Sequence, residues 1–455
     1  MEEFDLVVIG AGTAGMSSAG HAIKSGAKIA MVEEKAFGGE CLHTGCVPTK
    51  TMIRSAKLLQ LMRRAEEFGL CAKDVSADFA KVMERKNKII AEIAVHDDPK
   101  NFERAGVTVY MGHANFVGRN ELQVGDETIR GKKFIISIGS LPSIPPIEGV
   151  EETGYITNIE AVNLDHLPKS LVVLGAGAVG MEFSQIFARL GSDVTVLEMQ
   201  DQILPLEDKE VADALYRHLA DEGIKMLTGA VVTKVAARDG SKVVTAQVAG
   251  EHKEFAAEEI MIATGRKANV EGLNLEAAGI EADRRRIKVD DGLRTTAPHV
   301  WATGDVNGAY LFTHVAEYEG GIAANNATAD QPKKVDYRVI PRATFTDPEL
   351  ASVGMTEREA REQHDNLAVS QFPFKNLDKA LIMGETDGMV KIIAEKDAGQ
   401  ILGAHILGPD AGDVIHELVV AMHERVPVRA LARTVHAYPT LPEAIYWDSV
   451  SMVGA

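Results

Sequence analysis

Residues 38–50, GGECLHTGCVPTK, decide how the chain is read. They hold Cys41 and Cys46, two of the three cysteines in 455 residues. In an ideal α-helix, residues five apart differ by about 140° in azimuth and about 7.5 Å in rise, which puts their Cα atoms about 8.6 Å apart. A disulfide tolerates at most about 7 Å. A bridged pair therefore demands an irregular first turn, which Gly45 permits through its backbone freedom; Pro48 then adds a fixed φ near the helix start. A bridge over four intervening residues restrains little unfolded chain and makes a poor staple. A redox pair at a helix N-terminus, where the dipole lowers a thiol pKa, fits the spacing better, with two unlinked thiols close by chance as the alternative.

Upstream, the apolar run 4–9 ends in Gly10-Ala11-Gly12-Thr13-Ala14-Gly15, a helical pattern follows, and the next apolar run ends at Glu33, 23 residues after Gly10. This is the strand, glycine turn, helix, strand, acid order of a dinucleotide-binding unit. The order repeats downstream: run 171–174, turn Gly175-Ala176-Gly177-Ala178-Val179-Gly180, a helix, and a strand ending at Glu198, again 23 residues on. Two units imply two nucleotides. At the second, Glu198 accepts from a free ribose hydroxyl and repels a 2′-phosphate, and no Arg or Lys follows within three residues, so NAD(H) is expected over NADP(H). Runs ending at Ala263-Thr264-Gly265 and Thr303-Gly304-Asp305 mark further strand ends where ligands meet parallel sheets.

Between these motifs, helices are expected over 51–70 and 79–105 with Cys71 as a small buried hydrophobe, and an antiparallel meander over 107–129. A buried strand is expected at 134–139, with a stiff boundary at LPSIPPIEG (141–149). From residue 339 alternating strands and short helices form an α+β region closing on HAYPTLPE (436–443). A net charge of −18 argues against nucleic acid or an anionic membrane as partner. No apolar run reaches about 18 residues, and a strand pattern beginning almost at Met1 leaves no room for a signal peptide, so a cytoplasmic location is expected.

Together the paired nucleotide units, the CxxxxC segment, TGD and YPTLPE resemble the class I pyridine nucleotide-disulfide oxidoreductases, which include dihydrolipoamide dehydrogenase, glutathione reductase and mercuric reductase. The resemblance implies an α/β fold with two Rossmann-like dinucleotide-binding domains plus a C-terminal α+β dimerisation domain. The implied division is FAD-binding 1–148, NAD(P)-binding 149–270, a central FAD-binding part 271–337, and an interface domain 338–455. It implies a homodimer that passes electrons between NAD(H) and a small-molecule disulfide, dithiol or other acceptor through FAD. Cys46 matches the family's cysteine beside the flavin, Cys41 the exposed interchange cysteine, and Lys50 with Glu182 the pair near the flavin. FAD contacts are implied at Gly10, Gly12, Ala14, Gly15, Glu33, Gly39, Lys50, Gly139, Gly304, Asp305, His314 and Ala316. Nicotinamide-nucleotide contacts are implied at Gly175, Gly177, Gly180, Glu198 and Gly265. No metal site is expected.

Two positions depart from the pattern. Disulfide-reducing members carry histidine before the closing Pro-Thr, oriented by a glutamate five residues on; here the pair is Tyr438 and Glu443. A phenol with a pKa near 10 is no imidazole base at pH 7, and His436, two residues earlier, replaces it only if the local backbone is irregular. Tyrosine at this position resembles the family's soluble transhydrogenases, which lack the cysteine pair present here, and its mercuric reductases, which typically carry a C-terminal cysteine pair that this sequence lacks. A flavin-loaded redox sensor with little turnover is the remaining alternative. The second departure is Glu40, where threonine is usual, a carboxylate that needs solvent or a cation.

Overall fold

Residues 4–9 fall inside the strand Glu2–Ile9, buried on both faces because a parallel sheet is covered on both sides. The computed structural model describes residues 1–283, 285–329, 331–397 and 399–454. It divides into two compact units, Met1–Pro48 with Glu84–Ser143 and Gly265–Asp336, and Thr49–Met83 with Ile144–Thr264 and Tyr337–Ala455.

In the first unit, Glu2–Ile9 pairs in parallel with Ile29–Glu33 on one side and Glu127–Ile136 on the other. Val300–Ala302 continues the sheet in parallel beyond Phe134–Ile136. The strand Glu127–Ile136 serves two roles. Its first half alternates and pairs antiparallel with Glu121–Val124, while its last three residues are wholly buried in the parallel sheet. The end of the expected meander and the buried strand, expected as separate elements, are therefore one strand. The expected meander also loses its first member, since Thr108–Met111 pairs in parallel with Ile29–Glu33 instead. Periodicity reports which face is buried, not which neighbour a strand selects.

Two helix expectations are corrected. The first helix runs Cys46–Arg63 and gives way to a 3₁₀ turn, Ala65–Phe68. The second stops at Ala94 and restarts as Pro99–Arg104, where Asp98 accepts from the Lys100 N–H at 2.8 Å and proline occupies the first turn. Cys71, expected to be buried, is exposed in the connection between them.

The second unit holds a parallel sheet ordered Lys225–Leu227, Asp193–Leu197, Ser170–Leu174, Glu259–Ile262, and a three-stranded antiparallel sheet, Ala230–Arg238, Ser241–Val248 and Glu251–Ala257. A five-stranded antiparallel sheet, in the order Pro341–Thr344, Glu349–Gly354, Ile401–Gly408, Met389–Glu395, Leu367–Pro373, forms the C-terminal α+β region. Buried charges join these parts. Lys391, 1% exposed, reaches Asp208 and Glu210 at 2.9 Å and Glu357 at 2.7 Å. Arg189 forks onto Glu222 (2.5 Å) and Asp347 (2.7 Å), Lys57 meets Asp347 at 3.0 Å, and His218 meets Glu222 at 3.1 Å. Charges taken out of water in this way persist only when paired.

Burial works against the Glu222 carboxylate, but His218 and Arg189 outweigh it and hold its pKa down at about 2, against an ordinary 4.5. Burial likewise opposes the charged form of His218, yet Glu222 and Asp387 hold its pKa above 6.5. Glu222 contributes stability above pH 4.5 that is lost as pH falls through 2, and His218 contributes stability below pH 6.5 that is lost as pH rises. Thermal denaturation across pH is expected to show both contributions at full strength between about 4.5 and 6.5. Glu222→Gln should flatten the acid limb of that profile, and an unchanged limb would show that other carboxylates control acid unfolding.

Candidate functional site

The two glycine turns are built alike. Gly10 has φ 98° and a Cβ there would lie 2.4 Å from the Ser137 carbonyl oxygen; a Cβ at Gly15 would lie 1.8 Å from the Gly10 carbonyl oxygen. In the second turn Gly175 (φ 99°) and Gly180 are excluded in the same way by Ala263 and Gly175. The middle glycines are different. A Cβ on Gly177 meets nothing within 4 Å, and one on Gly12 only Gly39 Cα at 3.9 Å. The protein's own packing does not require glycine there, so the space fits a pyrophosphate approaching the helix N-terminus. The acids close both turns: Glu33 accepts from the Ala11 and Lys35 N–H groups at 2.7 Å each, and Glu198 from those of Ala176 (2.7 Å) and Gln200 (2.8 Å).

The cysteine segment docks onto the first turn. Gly38 N–H donates to the Ala11 carbonyl at 3.0 Å, and a Cβ on Gly39 (φ 57°) would lie 2.9 Å from Gly12 Cα. Cys41 lies in a five-residue helix, Gly39–His43, which breaks at Thr44 and Gly45 before the helix Cys46–Arg63 begins. This is the irregular turn that pairing requires, and both cysteines stand as thiols. Thr313 joins them: its Oγ1 donates to Cys41 Sγ at 3.2 Å and lies 3.3 Å from Cys46 Sγ. The Cys41 thiol pKa is pushed up, first by its hydrogen bond to Cys46 and then by burial, while the Thr313 hydroxyl works in the opposite direction.

Glu40 finds the cation it needs. Its carboxylate takes a two-point contact from Arg266, with Nη1 at 2.9 Å from Oε1 and Nη2 on Oε2. Arg266 Nε donates to Ser140 Oγ at 2.7 Å, and that hydroxyl donates to Asp305 at 2.6 Å. Burial raises the Asp305 carboxyl, against the Ser140 hydrogen bond and the Arg266 charge. Beside Asp305, Gly304 (φ 72°) donates to buried Glu319 at 2.7 Å and packs on Ala14 and Ala316. Gly139 and Gly265 have φ 69° and 116° with open space at the Cβ position, and the His314 ring stacks on Phe312 with centroids 5.4 Å apart.

In the second unit, Lys50 Nζ reaches both Glu182 oxygens at 3.0 and 2.8 Å and lies 4.6 Å from the centre of the Phe345 ring. Phe345 N–H donates to the same carboxylate at 2.9 Å, so the buried acid has two partners. The closing motif is arranged differently from the expectation that Glu443 orients residue 438. Tyr438, 70% exposed, donates to Asp378 at 2.9 Å, whereas Glu443 accepts from the Thr440 N–H at 2.9 Å as the terminal helix Glu443–Gly454 begins. His436 bonds through Nε2 to Glu417 (3.0 Å) and through Nδ1 to the Thr434 carbonyl. The Tyr438–Pro439 bond is cis.

Residues 4–320 match the family described as pyridine nucleotide-disulphide oxidoreductase, and residues 340–449 match its dimerisation domain. The chain belongs to this family. Pyridine nucleotide-disulphide oxidoreductases similar to it include a mercuric reductase of Bacillus cereus, 35% identical over 444 residues, covering 97% of this chain and 70% of that protein. A dihydrolipoyl dehydrogenase of Bacillus subtilis (strain 168) is 37% identical over 452 residues, covering 97% and 94%. Among solved structures, the HOCl-induced flavoprotein disulfide reductase RclA from Escherichia coli superposes with a TM-score of 0.89 at 30% identity, covering 98% of this chain and 99% of that one. The chain is accordingly an FAD-dependent NAD(P)H disulfide oxidoreductase of glutathione-reductase-like architecture.

Sequence reasoning missed Thr313, Arg266 and Ser140, which lie 267, 226 and 165 residues from Cys46, Glu40 and Asp305. Thr313 Oγ1 lowers the Cys41 pKa, so Thr313→Val should slow alkylation of the Cys41 thiol at fixed pH by about fivefold, the worth of one ordinary hydrogen bond. Peptide-resolved iodoacetamide rates measure this, and an unchanged or faster rate would remove Thr313 from the control of the pair.

Proposed function

We propose that the protein is a cytoplasmic homodimer that uses NADH and FAD to interconvert the Cys41–Cys46 disulfide and dithiol, passing electrons to or from a small disulfide or dithiol as dihydrolipoamide dehydrogenases do. The observation that carries this reading is the meeting of both sulfurs at one hydroxyl, Thr313 Oγ1, at 3.2 and 3.3 Å. The proposed division is FAD with 1–148 and 271–337, the nicotinamide nucleotide with 149–270, and pairing of subunits with 338–455. The two glycine turns and the matched dimerisation domain support it.

Bound FAD supplies a two-electron carrier between nicotinamide and thiol chemistry. The chain's own residues do the rest. Gly12 and Gly177 leave room for the pyrophosphates, Glu33 and Glu198 would accept from the adenosine riboses, and Asp305, held by Ser140 and Arg266, would serve the ribitol side. Lys50, paired with Glu182, would place a positive charge where negative charge develops on the bound carrier. Cys46 would face the carrier, and Cys41 exchanges with substrate: its thiolate attacks a substrate sulfur, the mixed disulfide forms as the substrate's second sulfur leaves with a proton, and Cys46 closes the bridge as the substrate thiol departs.

A second reading, thiolate capture and reduction of a soft metal ion, is favoured by Tyr438, whose hydroxyl is engaged with Asp378 rather than oriented by Glu443. The two readings separate in turnover. On the first, Glu443→Gln, which keeps an oxygen for the Thr440 N–H, should cut dihydrolipoamide oxidation at least tenfold; unchanged turnover removes Glu443 from the mechanism. On the second, mercuric ion in excess thiol should accelerate NAD(P)H oxidation, and no acceleration ends that reading.

Coenzyme choice is proposed as NADH because Glu198 is held at the strand end by two backbone donors, with Met199, Gln200 and Asp201 after it. The ratio of kcat/KM for NADH over NADPH should exceed tenfold and shrink in Glu198→Ala. A wild-type ratio near one would refute the preference.

A further inference from the structure

We propose that Glu40 is a positioning residue for the thiol pair: clamped by Arg266, it holds the Cys41 helix beside Cys46 whenever no covalent bond joins the two sulfurs. The inference rests on the reading that Cys41 and Cys46 are the redox pair.

The helix carrying Cys41 has five residues, too few to be stable alone. It is entered through Gly38 and Gly39, both left-handed at φ 90° and 57°, and left through Thr44 at φ −138° and Gly45. Such a segment owes its position to what it is tied to. Its uncharged ties are the Gly38–Ala11 backbone bond, the buried Leu42 side chain, the Thr313 hydroxyl on Cys41 Sγ at 3.2 Å, and, at its end, the bond between His43 Nε2 and the Phe37 carbonyl at 2.8 Å, which is internal to the segment. The charged tie is Glu40 to Arg266. A two-point guanidinium–carboxylate contact fixes direction as well as distance. Arg266 is itself immobilised, on a strand paired with Ser140–Pro142, by hydrogen bonds to the Ser140 hydroxyl (2.7 Å) and carbonyl (3.0 Å), with Asp305 3.7 Å away. The side chains of Arg266 and Glu40 are 18% and 30% exposed, so solvent screens the pair only in part.

The consequence concerns the redox equilibrium of the pair. The disulfide takes up two electrons and two protons to give two thiols. In the disulfide the new bond itself restrains the Cys41 helix, whereas in the dithiol the restraint falls on the remaining ties, of which the clamp is the charged, two-point one. Removing the clamp therefore frees the dithiol more than the disulfide, which lowers the effective concentration of one sulfur at the other and makes reduction more favourable.

The test equilibrates the FAD-loaded protein with dithiothreitol and its cyclic disulfide, which supply and accept the two electrons, and counts alkylated Cys41 and Cys46 by mass. Glu40→Gln should shift the midpoint ratio at least tenfold toward the dithiol, about 30 mV for a two-electron couple. Glu40→Thr, which restores the residue usual in the family and also removes the carboxylate, should do the same and covers the case in which the glutamine variant does not accumulate. Arg266→Gln should shift the ratio in the same direction and add nothing in the double variant, because the two side chains act as one unit. Shifts below twofold, or additive shifts in the double variant, would overturn the clamp. A wild-type pair that does not titrate would instead overturn the redox-pair reading beneath it.

Discussion

Gly39 rests on Gly12. Where a Cβ on Gly39 would come within 2.9 Å of the Gly12 backbone, the absence of one lets the cysteine segment lie directly on the turn of the first nucleotide unit. That contact joins two functions that the chain order merely places side by side, a turn shaped for a pyrophosphate and a helix start that presents two thiols. The arrangement of Cys41, Cys46 and Thr313 depends on this seat, since a side chain at Gly39 would lift the segment from the turn.

The same construction principle appears twice. In both nucleotide units the acid at the end of the second strand accepts from the second residue of the turn 22 residues earlier, Ala11 for Glu33 and Ala176 for Glu198, each at 2.7 Å. The carboxylate thus stabilises the turn besides the ribose contact proposed for it, which gives this acid a reason to be there before any ligand binds. The first and third glycines answer to the protein's own atoms and the middle one to empty space. That difference separates conformational need from ligand need.

Much of this was legible in the sequence because local spacing carries it: turns, acids, the cysteine segment and the Lys50–Glu182 match all sit in short motifs or in a family pattern. What was not legible depends on distance in the chain. Thr313 meets the cysteines from the start of a helix 267 residues beyond Cys46, and Arg266 answers the Glu40 charge across 226 residues. Strand pairing was misread for the same reason, because alternation in residues 108–111 gives a face and not a partner. Cys71 was misassigned because its apolar character says nothing of a connection that leaves it exposed. In the closing motif the resemblance supplied residue types, but the geometry ties Tyr438 to Asp378 and Glu443 to Thr440.

The central claim is that electrons from a nicotinamide nucleotide come to rest on Cys41 and Cys46. It is tested most directly by adding one equivalent of NADH to the oxidised, FAD-loaded protein without oxygen, alkylating at once, and mapping the modified peptides by mass. The account predicts two newly alkylated cysteines per subunit, Cys41 and Cys46, with Cys71 reacting equally before and after. Consumption of NADH with neither Cys41 nor Cys46 newly alkylated would contradict it.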